Sequence, residues 1–295
     1  MSEQWSEDRV LEIIKTVFAK LIANDLMSDG AELPRCKKKH TRVISCDTFQ
    51  ESHDFIVNQH SLVESAGHRA ITQNLSDLAA MGAKPVGFVW SLEIPKDWLD
   101  QNAKLLRGFC EGAARICEKK KLKLLGGDLS LSETFSCTTT ILGDVKGKPI
   151  SRRGAQVDDR LYISREIGAS SAGLAELLSD RKRKDKKLIA KHIYPEDEIE
   201  LGQKLVGVAT ACMDLSDGLG KDLKRLCDAS KVNVKLDDVA DMTAGAEVYA
   251  LLFTGPDKKI QKLEKKLRRR FVRIGTVVEG KFDLAGDGYD HFSRA

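Results

Sequence analysis

No stretch of this chain approaches the ~18 consecutive apolar residues of a membrane span, which excludes a spanning helix. Seven cysteines stand at positions 36, 46, 110, 117, 137, 212 and 227, an odd number without a Cys-x-x-Cys pair. That excludes a paired-cysteine zinc knuckle and reads as a reduced, cytoplasmic protein. The start, Met1-Ser-Glu-Gln-Trp-Ser-Glu-Asp8, is polar and acidic, which argues against a signal peptide. Histidines occur at 40, 53, 60, 68, 192 and 291, and no two lie three or four apart, so a helical zinc pair is absent. No Gly-x4-Gly-Lys-Ser/Thr occurs, which excludes a P-loop. No Gly-x-Gly-x-x-Gly follows a strand, and no Gly-x-Ser-x-Gly elbow is present.

What is there is a balanced, globular composition. Of 295 residues, 42% are hydrophobic and 31% charged, enough for a core and a polar surface. The 48 basic and 44 acidic residues leave +4, too even to argue for nucleic acid. The basic runs at 181–187 and 265–270 read as solvated surface. The second lies on a helix whose apolar stripe is Ile260, Leu263 and Leu267.

Periodicity predicts helices over 7–24, 65–81, 99–119, 170–178, 219–229 and 257–269. Strands are expected over 42–47, 86–94, 122–125, 135–145, 161–164, 232–236, 251–254 and 272–278. The segment 146–154 combines Gly, Pro and charge and is the expected boundary, dividing the chain into 1–146 and 147–295. The fold class is α/β or α+β, in two domains.

Apolar segments run into acidic residues at four places. Ala211-Cys-Met-Asp214-Leu-Ser216-Asp217-Gly218 opens a helical pattern; capping needs one acid and two are present. Asn74 and Asp77 share a helix face in a stretch that is otherwise small or apolar. A carboxylate buried there needs a cation or hydrogen-bond donors, and backbone amides would serve as well. Leu125-Gly-Gly-Asp128 reads as a turn after a strand, and Asp47 as the end of its own strand. Oxygen ligands of this kind suit Mg2+ shared with phosphate.

The chain resembles the thiamine-monophosphate kinases, within the aminoimidazole-ribonucleotide-synthetase-like superfamily. The matching words are Ser45-Cys-Asp47-Thr48, Asn74-Leu-Ser-Asp-Leu-Ala-Ala-Met-Gly-Ala83, Leu125-Gly-Gly-Asp128 and Ser151-Arg152. They continue with Asp214-Leu-Ser-Asp-Gly218, Glu247-x-Tyr249-x-Leu-Leu-Phe-Thr254 and Gly288-Tyr-Asp-His-Phe292. They follow the family's order over nearly the whole chain. The chain departs from the family's Gly-x-Gly-Asp-Asp word, which reads Leu26-Met-Ser-Asp29-Gly30, and from its Gly-Glu-Asp-Tyr-Glu word, which reads Ala246-Glu-Val-Tyr-Ala250. A family His is displaced by one residue, to His53.

The resemblance implies a two-domain synthetase-like fold whose amino-terminal sheet pairs across a homodimer, with 1–146 binding ATP and 147–295 completing the substrate site. It implies transfer from ATP to thiamine phosphate with several Mg2+ ions and no general base. It implies Asp47, Asp77, Asp128, Asp214, Asp217 and Asp29 as metal ligands. Gly127, Arg152 and Ser216 are implied for ATP, and Glu247, Tyr289 and His53 for thiamine phosphate. Two other readings stay open here: an ATP-using enzyme of the superfamily with another substrate, and a nucleotide-binding dimer without full activity.

Overall fold

The computed structural model describes residues 6–22, 33–57, 60–180, 183–237 and 247–283. The chain divides into two compact units. The first comprises residues 1–38, 42–74 and 85–144, and the second 39–41, 75–84 and 145–295.

The first unit is built on a four-stranded sheet in the order β1-β4-β2-β3. Its strands are β1 (His40–Gln50), β2 (Lys84–Pro95), β3 (Lys123–Ser132) and β4 (Ser136–Lys146). Helices α1 (Glu7–Val17), α2 (His60–Ala80) as far as residue 74, and α3 (Lys96–Lys120) accompany it; the end of α2, from residue 75, belongs to the second unit. Helix α1 starts where Ser6 accepts the Arg9 amide at 3.4 Å, an ordinary N-cap. It stops well short of the expected residue 24. Phe18 packs edge-on against Phe88 and Trp90, and the Leu124 amide donates to the Leu21 carbonyl at 2.9 Å. Pairing with β3 and aromatic burial override the helical periodicity.

The core is aromatic. Trp98 stacks on Phe135 with centroids 3.7 Å apart, and Phe109 meets Phe135 edge-on at 4.7 Å. Helices α2 and α3 touch through glycine. A Cβ on Gly112 would lie 1.8 Å from the Glu64 carbonyl oxygen, and one on Gly67 would lie 1.9 Å from that of Phe109. Backbone cannot rotate away as a side chain can. Gly112→Ala is therefore expected to destabilise the fold by about 2 kcal/mol. Overpacking costs about 3 kcal/mol, and better helix propensity returns about 1. Denaturant unfolding at unchanged slope checks it; a variant as stable as wild type contradicts this close packing.

The second unit carries a five-stranded sheet in the order β6-β8-β5-β9-β7. Its strands are β5 (Arg160–Ile163), β6 (Ala211–Asp214), β7 (Asn233–Leu236), β8 (Leu251–Gly255) and β9 (Val272–Val278), and every adjacent pair is antiparallel. Helices α4 (Ala169–Leu178), α5 (Lys186–Ile193), α6 (Ile199–Leu205), α7 (Leu219–Ser230) and α8 (Asp257–Leu267) complete it. Leu219, Leu223 and Leu226 of α7 bury against Leu161, Met213 and Leu252 of the sheet. Helices α5 and α6 are short, eight and seven residues, too brief for a periodic signal to stand out. The class is mixed α and β with two sheets. No helix among the described residues is long and apolar enough to cross a membrane.

Candidate active site

In the second unit β6 delivers Asp214 to the end of the sheet. Its side chain is 4% exposed, and Ser76 Oγ donates to Asp214 Oδ2 at 2.9 Å. Ser76 belongs to the Asn74–Ala83 word, so two words separated by more than a hundred residues meet directly. A third joins them. Asp214 pairs with Leu251 in the β6–β8 ladder, and the pairing continues beyond it. The Leu215 amide donates to the Ala250 carbonyl at 2.8 Å, the Tyr249 amide to Leu215 at 3.1 Å, and the Glu247 amide to Ser216 at 2.9 Å.

The bend at Glu247 is unusual. Glu247 and Tyr249 have φ of 51° and 54°, the left-handed region that favours glycine. Each such residue costs roughly 1–3 kcal/mol and persists only where its surroundings fix it.

The turn after Asp214 is fixed from inside by a residue outside the motifs singled out in the sequence. Asp222, in the first turn of α7, accepts the Ser216 and Asp217 amides on Oδ2, at 3.0 Å each. Its other oxygen takes Arg225 at 2.9 Å. Burial pushes the Asp222 carboxyl above the usual range, against the pull of those amides and of Arg225. An acid in a helix's first turn was the available signal. Asp217 faces Arg225 at 2.6 Å and Lys221 at 3.6 Å, so a metal ion at that carboxylate would compete with two cations.

Asp77 is only half-buried, against the expectation of a buried carboxylate. Gln73, Asp77 and Met81 form the less buried stripe of this stretch. The buried polar groups are Asn74 and Ser76. Asn74 donates to the Ala70 carbonyl at 3.1 Å, while its Oδ1 is buried with no hydrogen-bond partner.

In the first unit two further expectations change. Gly126-Gly127-Asp128 is not a turn; it continues β3, paired in parallel with Val89, Trp90 and Ser91 of β2. A Cβ on Gly127 would lie 1.9 Å from the Trp90 carbonyl oxygen, so strand packing alone requires glycine there. Asp47 does not end its strand either. It lies within β1, beside Thr48, whose hydroxyl meets that of Thr138 at 2.9 Å. Asp47 is half-buried and Asp128 exposed. His53 is exposed on a turn held by Asp54, which accepts the Gln50 amide at 2.7 Å. Arg152 is exposed in the second unit, with its carbonyl accepting from Ser230 at 2.9 Å. Asp29, Gly30 and Tyr289 lie outside the described residues.

The donors available are hard carboxylate oxygens, which suit Mg2+ rather than a thiophilic metal. Among the described residues no three His, Cys, Asp or Glu side chains form a ready cage. Mg2+ needs none: it commonly takes one or two carboxylates and completes its shell with water and phosphate oxygens. The orphaned Asn74 oxygen, one helical turn from Asp77, is a buried acceptor that an ion's hydration shell would satisfy. On donor chemistry the residues fit Mg2+.

A family model described as AIR synthase related protein, N-terminal domain, matches residues 27–145. The thiamine-monophosphate kinase of Haemophilus influenzae is 30% identical, covering 96% of this chain and 98% of its own. That of Buchnera aphidicola from Schizaphis graminum is 32% identical, covering 85% of this chain and 83% of its own. A solved structure of AaThiL complexed with AMPPCP and TMP is 25% identical, with a TM-score of 0.76 over 99% of this chain and 100% of its own. With relatives at 30% identity or better matched along most of both chains, this protein belongs to the thiamine-monophosphate kinase family.

Proposed function

We propose that this chain transfers the γ-phosphoryl group of ATP to thiamine phosphate, forming ADP and thiamine diphosphate. The observation that carries the reading is the junction around Asp214. Ser76 reaches its carboxylate, and the Glu247 bend is hydrogen-bonded to the residues that follow it. A relative solved with AMPPCP and TMP supports the same pair of substrates.

The acceptor is itself a phosphate. Its second pKa lies near ~6, as for other phosphomonoesters, so it is anionic at pH 7 and no residue has to remove a proton. Mg2+, when bound, supplies positive charge between two mutually repelling phosphates. Asp47, Asp77, Asp128 and Asp214 are assigned as its ligands, with Asp29 and Asp217 as further acids. Gly127, Arg152 and Ser216 are assigned to ATP. Glu247, His53 and Tyr289 are assigned to thiamine phosphate, the Tyr289 ring suiting the face of the thiazolium cation. Ser76 donates to one oxygen of Asp214 and so helps to orient that carboxylate. Asp222 holds the Ser216 and Asp217 amides and so sets the turn that carries Ser216.

The assignment is tested by ADP release from Mg-ATP with thiamine phosphate and with a panel of other phosphate and amine acceptors. Thiamine phosphate should be the preferred acceptor. Release with another acceptor and none with thiamine phosphate would transfer the chain to a different activity of the superfamily.

The working form is assigned as a homodimer. The most apolar strand of the first unit, β2, lies inside the sheet, so it does not motivate the pairing. The edges are β1 and β3, where Ile44 and Leu131 are 64% and 63% exposed. Apolar edge strands are ordinarily covered. Sedimentation at micromolar concentration should give twice the chain mass; a monomer that still binds ATP would contradict the dimer.

A further inference from the structure

A buried ion network in the second unit has no part in the assignments above. Glu198, just ahead of α6, is 4% exposed. Its Oε1 accepts from Ser164 Oγ at 2.9 Å, from Arg165 at 2.9 Å and from Arg269 at 2.6 Å. Its Oε2 accepts from Arg269 at 2.8 Å. Two guanidinium groups thus share one buried carboxylate, and Arg269 alone occupies both of its oxygens.

Arg165 has donors left over and uses them on backbone. Its second terminal nitrogen donates to the Val248 carbonyl at 2.7 Å and to the Glu196 carbonyl at 2.9 Å. Val248 sits between the two left-handed residues, Glu247 and Tyr249. The guanidinium therefore grips the strained bend at its centre. The bend is also held at Glu247. Ser170 Oγ, on α4, lies 3.4 Å from the Glu247 carbonyl and 3.1 Å from His192 Nδ1, and His192 Nδ1 is 3.8 Å from Glu247 Oε2. Ser170 and His192 are both buried.

We propose that Arg165 is a positioning residue for thiamine phosphate: seated on Glu198, it holds the Val248 carbonyl and keeps the Glu247–Tyr249 bend in the shape that presents Glu247. The inference rests on the assignment of Glu247 to that substrate. It does not rest on any contact of Arg165 with the substrate itself.

Two variants separate this role from a purely structural one. Arg165→Met removes the grip while Arg269 continues to neutralise Glu198. Arg165→Lys keeps the charge but lacks the planar fork that serves a carboxylate and two carbonyls together. Steady-state kinetics in both substrates and thermal melting are measured, with Glu247→Gln beside them. Arg165→Met should raise the KM for thiamine phosphate at least tenfold and leave the KM for ATP within twofold. Arg165→Lys should recover part of that loss. Combining Arg165→Met with Glu247→Gln should raise KM by less than the product of the single effects, because both act through one side chain. If Glu247→Gln raises the KM and Arg165→Met does not, the positioning role is overturned. An equal rise in both KM values also overturns it. If Glu247→Gln itself leaves the KM unchanged, the assignment of Glu247 fails and takes the inference with it. Should Arg165→Met fail to fold, Arg165→Lys decides by the same split between the two KM values.

Discussion

Asp214→Asn is expected to lower kcat by about 10²–10³, the scale for losing one fixed electrostatic stabiliser of a charged transition state. The change removes a charge and almost no volume. Asparagine's carbonyl oxygen can still accept from Ser76, so the junction between the two words should survive. Removing the charge also lowers the cost of burying a side chain that is 4% exposed. Stability should therefore hold or rise while turnover falls, and the opposing directions separate a functional acid from a structural one. Steady-state kinetics over a Mg2+ series, together with denaturant unfolding, measure both. A kcat near wild type with unchanged Mg2+ dependence would remove Asp214 from the ligand set.

Asp222→Ala is expected to destabilise the fold by about 3 kcal/mol, and to lower activity further than that loss of stability explains. The carboxylate serves two backbone amides and Arg225 at once. Removing it leaves donors unmatched in a buried turn, at about 1–3 kcal/mol for a neutral group and more for a charged one. Asp217, which also holds Arg225, limits the damage on that side. Denaturant unfolding at unchanged slope reads the stability. The kinetic readout is the KM for ATP, because Ser216 rides on the turn that Asp222 shapes. A variant within 0.5 kcal/mol of wild type, a bound set roughly by exposed sites, would mean that the turn holds without it.

Much of this was legible in the sequence for physical reasons. Long amphipathic segments declare themselves, and α3 and β9 fell where periodicity placed them. The Asp214 corner was legible because two acids exceed what one helix cap requires. Other features depend on contacts between distant segments. Nothing local says that Gly126 and Gly127 continue a strand; that comes from their pairing with β2, whose Trp90 carbonyl leaves no room for a Cβ on Gly127. Nothing local separates Asp77 from Ser76 on an apolar helix; burial reverses the order of interest, because Ser76 is the residue that reaches Asp214. The Arg165–Glu198–Arg269 network joins three segments with no shared pattern. The left-handed bend at Glu247 has no glycine to announce it.

The most direct measurement follows the phosphoryl group itself. ATP labelled in its γ-phosphate is mixed with the protein, Mg2+ and thiamine phosphate in a single turnover, and the products are separated. The label should appear in thiamine diphosphate, one for each ADP formed, with none released as inorganic phosphate. Label in inorganic phosphate, or ADP formed without labelled thiamine diphosphate, would contradict it.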